Sequence, residues 1–83
     1  MSPDVIKKRI QENLIVEDII LRDLTGGGDH WLVTIVSPAF EGKTLIEQHK
    51  MIMNLFTDDI ASNSLHALSL KTFTPARWKA LQK

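Results

Sequence analysis

The chain has 83 residues, ten basic and ten acidic side chains, no cysteine and a hydrophobic fraction of 43%. That length holds one domain, residues 1–83, with one modest core, and the lack of cysteine excludes disulfides, thiolate nucleophiles and Cys-based zinc sites. A formal net charge of zero argues against nucleic-acid binding driven by overall charge. No apolar run approaches the roughly 20 residues that span a bilayer, and MSPDVIKKRIQ lacks a signal-peptide core, so a soluble cytoplasmic protein with no membrane partner is expected.

In chain order, Ser2, Pro3 and Asp4 open a helix: a hydroxyl for the N-cap, a proline for the first helical position, and a carboxylate for the positive end of the dipole. Ile6, Ile10 and Leu14 then recur on one face. VEDIILRDL is β-branched and aliphatic enough for a strand, which Gly26, Gly27 and Gly28 end. WLVTIVS alternates, with Trp31, Val33 and Ile35 on one face and Leu32, Thr34 and Val36 on the other. The two strands should form an antiparallel hairpin. A two-residue turn needs one glycine, so the extra ones imply more than a turn. They are expected to let the loop bend freely and to keep bulk away from His30.

Pro38 and Gly42 break the chain before KTLIEQHKMIMNLF, where Leu45, Ile46, His49, Ile52, Met53 and Phe56 form an apolar helical stripe with a histidine in it. Asp58 and Asp59 suit the first turn of a short further helix. LHALSLKTF reads as a third strand, and Thr74 and Pro75 start a last helix that Trp78 and Leu81 would dock. The order α-β-β-α-α-β-α predicts an α+β domain: a three-stranded mixed sheet with helices packed on one face.

The long, mostly helical connection between the second and third strands predicts that they run parallel. Their N-terminal ends then lie together, and so do His30, before the second strand, and His66, at the start of the third. Asp29 could join them, but a structural zinc site wants four protein ligands. Either a partner completes the pair, or His30 is a loop histidine and His66 a strand-edge residue bonded to backbone. His49, on the apolar stripe, is expected to be structural, its imidazole satisfied by a nearby acceptor. Met51, Met53, Trp31 and Trp78 read as packing. No catalysis is expected. Ser37, Ser62, Ser64 and Ser69 carry no nucleophile motif, the carboxylates form no paired constellation, and GGGDH lacks the Gly-Lys-Ser/Thr ending of a phosphate loop.

SPAFEGKTLIEQHK and SLHALSLKTFTPARW resemble the BolA family, and the resemblance runs from IILRDLTGGGDHW to TPARW, nearly the whole chain. It implies a fold similar to a type II KH domain. It also implies pairing with a monothiol glutaredoxin and a shared [2Fe–2S] cluster, with thiolates from the glutaredoxin cysteine and from glutathione. On this side the implied ligands are His66 and, from the loop, His30. Neutral imidazole can replace thiolate on one iron, as in Rieske centres. Two histidines cannot retain a cluster alone, so the free chain is expected to be a colourless monomer or weak dimer.

The alternative is a nucleic-acid-binding transcriptional regulator that uses a helix-turn-helix around EGKTLIEQHK, with Lys43, Lys50 and Lys71 as contacts. Charge is weighted to the ends: Lys7, Lys8 and Arg9 near the start, and Lys71, Arg77, Lys79 and Lys83 near the close. FEGKT has one glycine where a KH signature needs two, and Glu41 and Glu47 share the stretch with Lys43 and Lys50, so DNA binding is expected to be weak and salt-dependent. A third class is a plain protein-interaction module without a cluster.

Overall fold

A computed structural model describes residues 1–63, 65 and 67–82. Helix α1 spans Pro3–Asn13, β1 Asp18–Asp23 and β2 His30–Val36; a 3-10 turn at Pro38–Phe40 leads to α2 (Leu45–Met53), α3 (Thr57–Ala61), β3 (Ala67–Phe73) and α4 (Pro75–Leu81). The predicted order therefore holds. So do its punctuation marks: the Ser2 hydroxyl accepts from the Val5 N–H, the Thr74 hydroxyl accepts from the Arg77 N–H, and Pro3 and Pro75 stand at the helix starts. Thr44 and Glu47 form a capping box at the start of α2, each side chain accepting from the other's backbone N–H.

The sheet has the order β1-β2-β3, with β1 antiparallel and β3 parallel to β2. Register places Ile19, Leu21 and Asp23 opposite Ile35, Val33 and Trp31, and Leu68, Leu70 and Thr72 opposite Trp31, Val33 and Ile35. With a side-chain period of two, these residues share one face. Trp31, Val33 and Ile35 are buried there with Ile6 and Ile10 of α1, Phe40, Ile52 of α2, Phe56 and Leu65. Removing each of these side chains from water is worth about 1.5–3 kcal/mol, so this layer carries most of the folding energy. Arg9 ties α1 to α3 by an ion pair with Asp59 and by stacking over the Phe56 ring, 5.1 Å from its centroid.

Three expectations about packing change. Helices do not all share one face: Trp78 of α4 packs on Phe73, ring centroids 5.2 Å apart, and Phe73 pairs with Val36 in the alternate residue set. Leu81 does not dock α4, being 61% exposed. The stripe on α2 is buried only in its C-terminal half. Ile52 and Phe56 are fully buried, whereas Leu45 and Ile46 are 58% and 69% exposed. Periodicity in the first turn of α2 therefore marks an apolar face that the described residues leave largely exposed.

Candidate functional site

The β1–β2 loop is held by side chains, contrary to the expectation of a freely bending one. One oxygen of the Asp23 carboxylate accepts the N–H groups of Thr25 (3.2 Å) and Gly26 (2.9 Å), and the other accepts that of Gly28 (2.9 Å). Such a knot requires left-handed backbone, and Gly26 (φ +80°) and Gly28 (φ +74°) supply it. The middle glycine is less constrained: a Cβ on Gly27 would sit 3.3 Å from Asp29 Oδ1, a side-chain atom that needs to give only slightly. The Gly28 carbonyl accepts from both the Met1 amino group and the Trp31 indole N–H, each at 2.9 Å. The three glycines thus build a fixed loop anchored to a core tryptophan.

That loop delivers His30 as the first residue of β2. Its half-buried ring places Nε2 3.2 Å from the hydroxyl of Ser69, two residues into β3. His30, Leu32 and Thr34 and, by register, Ala67, Ser69 and Lys71 form the alternate residue set of the sheet, opposite the core. The Cα partner of His30 is Ala67, the residue that follows His66, and the Ala67 N–H donates to the Asp29 carbonyl at 3.1 Å. The parallel pairing predicted for these strands is therefore present. His66 itself lies outside the described residues. The Asp29 carboxylate accepts from the Thr25 hydroxyl at 2.5 Å, so its structural place is within the loop. Among the described residues no group of three or more His, Asp or Glu side chains could hold a metal ion.

The other candidates lie beside α2. A groove of about 340 Å³ is lined by Lys43, Leu45, His49, Lys71, Phe73 and Arg77, with Gln48, Leu70 and Thr72 completing it. Gln48 builds it: its amide N–H groups donate to the carbonyls of Lys43 (2.9 Å) and Phe40 (3.3 Å), while its oxygen accepts from the buried Thr72 hydroxyl (2.6 Å). The pre-helix segment is thereby fastened to β3. Lys43 and Lys71 come together here, joined by Arg77, whose guanidinium lies 5.9 Å from the Phe73 centroid. Lys50, exposed on α2, is not among the lining residues. None of the three groove cations forms an ion pair with a described residue.

His49 is half-buried on α2 as expected, but the expected acceptor is missing for one nitrogen: Nε2 is buried without a hydrogen-bond partner among the described residues. Sequence reasoning missed three residues. Asp23, just before a glycine run, carried a readable signal, because Asp side chains cap tight turns. Ser69 and Arg77 carried none: Ser69 gains its place from strand register, and Arg77 from the packing of α4 against Phe73.

A family model described as BolA-like protein matches residues 7–77. The DNA-binding transcriptional regulator BolA of Escherichia coli is 29% identical, over 94% of this chain and 84% of its own length. A BolA-like protein of Dictyostelium discoideum is 39% identical over 65% of this chain, a match that spans about half (47%) of that longer protein. The solved BolA domain of SufE1 from Arabidopsis thaliana superposes with a TM-score of 0.81 at 31% identity, covering 92% of this chain and 96% of that one. With a family model over most of its length and this agreement in fold, the chain belongs to the BolA family.

Proposed function

We propose that this chain is the histidine-bearing half of a shared [2Fe–2S] site. A monothiol glutaredoxin brings thiolates from its cysteine and from bound glutathione, and this chain brings His66 and His30. The cluster is cargo held between two proteins. The observation that carries the reading is the parallel β2–β3 register, which sets Ala67, next in sequence to His66, against His30. The donor chemistry fits: imidazole replaces thiolate on one iron, and a chain without cysteine needs a partner to close the coordination shell. The Asp23-bound loop presents His30 at little conformational cost on binding, because its backbone is already ordered.

The deciding experiment mixes this protein with a monothiol glutaredoxin, glutathione, iron and sulfide, and records visible circular dichroism and cluster lifetime, with thermal melts as folding control. A spectrum distinct from that of the glutaredoxin homodimer is expected. His66→Ala should abolish that distinction, and His30→Ala should weaken the cluster more mildly. A His66→Ala complex with an unchanged spectrum and lifetime would defeat the reading.

A second reading, nucleic-acid binding, is favoured by two observations: Lys43, Lys71 and Arg77 line a single groove, and the Escherichia coli relative bears the name of a DNA-binding regulator. Exposed Leu45 at the same groove and the nearby Glu47 are poor company for phosphates. Weak binding is expected, its salt dependence falling by about one unit of slope for each cation removed by Lys71→Glu or Arg77→Glu. Tight, sequence-dependent binding at physiological salt would place this reading first.

A further inference from the structure

We propose that Ser69 is a positioning residue for His30: it holds the ring through Nε2 and leaves Nδ1 as the nitrogen that binds metal. This rests on the reading of His30 as a ligand, and adds which atom ligates and what holds it. The ring makes one hydrogen bond among the described residues, Nε2 to Ser69 Oγ at 3.2 Å. A neutral imidazole has one N–H and one lone pair, and only the lone pair can coordinate iron. If the serine hydroxyl donated to Nε2, the proton would sit on Nδ1 and neither nitrogen would be available. If Nε2–H donates to Oγ, the lone pair lies on Nδ1. The 3.2 Å separation fits either direction, and we take the second: Oγ accepts from Nε2–H already in the free protein, so metal binding at Nδ1 needs no movement of the ring and no change of hydrogen bond. Histidine ligands generally donate their second N–H in this way, which fixes the tautomer and raises donor strength.

The fold makes the arrangement specific. Ser69 reaches His30 because β3 runs parallel to β2 with His30 opposite Ala67, so that Ser69 lies two residues further along the same face. A one-residue slip of β3 would turn that hydroxyl to the core side. Behind His30, the loop is fixed by the Asp23 carboxylate, so neither end of the imidazole's support is free to drift.

The test has two arms. In the free protein, long-range proton–nitrogen correlation spectra of the imidazoles should show His30 with Nε2 protonated and Nδ1 bare. Ser69→Ala should shift it toward the tautomer mixture of an unconstrained histidine, and Ser69→Thr should restore it. In the mixed complex with a monothiol glutaredoxin, Ser69→Ala should shorten cluster lifetime about tenfold, in line with the usual effect of losing a ligand's supporting hydrogen bond, while Ser69→Thr stays near wild type. In a His30→Ala background the same Ser69→Ala change should have no further effect. An unchanged His30 spectrum in Ser69→Ala, or an equal loss of lifetime with and without His30, overturns the proposal. Absence of any cluster in the wild-type mixture would instead defeat the parent reading, and the spectra of the free protein would still decide the hydrogen bond.

Discussion

The two candidate regions are built on opposite plans. At the His30 end, backbone is held by side chains: one carboxylate collects three N–H groups, an indole and an amino group share a carbonyl, and the histidine leans on a serine. At the groove beside α2 the frame is equally firm, through Gln48, but the charged groups on it are left open among the described residues: Lys43, Lys71 and Arg77 form no ion pair there, and His49 has a buried nitrogen without a partner. The first plan suits a ligand that needs fixed donor atoms, because order is already present before binding. The second suits a partner attracted by charge, which governs encounter more than geometry. Substitutions at the two ends should therefore fail in different ways, through lost stability at the loop and altered binding at the groove.

The largest effect is expected from Asp23→Ala. Three loop N–H groups lose a charged acceptor, and although water replaces part of it at this half-exposed site, a loss of about 1–3 kcal/mol should appear in denaturant unfolding. A change below a few tenths would mean that the loop is not held as described. The glycines sharpen the point further. Gly28→Ala forces a Cβ into left-handed backbone 3.4 Å from the Met1 carbonyl, and should cost about 1–2 kcal/mol. Gly27→Ala meets only a side-chain oxygen at ordinary φ, so its melting curve should stay near wild type. Equal effects at the two positions would contradict the geometry.

His49→Leu examines the other region. It deletes a buried nitrogen without a partner and keeps the bulk, so unfolding free energy should be unchanged or raised by up to about 1 kcal/mol. A clear loss would show that the imidazole is satisfied by a group other than those described.

The smallest effect concerns Glu47. The Thr44 backbone N–H, with help from the Thr44 hydroxyl, holds its carboxyl below the usual glutamate range. A lowered folded value stabilises the protein above the unfolded pKa of about 4.3, and that contribution fades as pH falls through the folded value. Acid titration should therefore loosen the first turn of α2, read as lower amide protection relative to the intrinsic exchange rate at residues 44–47, and Glu47→Gln should remove the pH dependence of that protection.

Much of this was legible in the chain. Cap residues, proline positions and two strand alternations fixed the element order because each depends on local sterics and hydrogen bonding. The long helical connection implied a parallel third strand, and hence that the neighbourhoods of His30 and His66 meet. Burial along α2 was not legible beyond Ile52 and Phe56. A 3.6-residue period says that one face is apolar, not which of its residues a neighbouring element covers, and Leu45 and Ile46 are left exposed. His49 misled for a related reason: an imidazole among aliphatic residues is usually satisfied, but whether an acceptor stands nearby depends on the opposing surface.

By itself the sequence determined the family motifs, the absence of thiolate ligands, the order of elements and the two histidines that flank the parallel strands. Tertiary structure alone decided that the three glycines form a rigid loop around Asp23, that Ser69 supports His30, and that Lys43, Lys71 and Arg77 share a groove. The reason is physical. Local chemistry chooses the conformation of each segment, but hydrogen bonds and charges distant in sequence meet only once strand register has been set by burial of the core face.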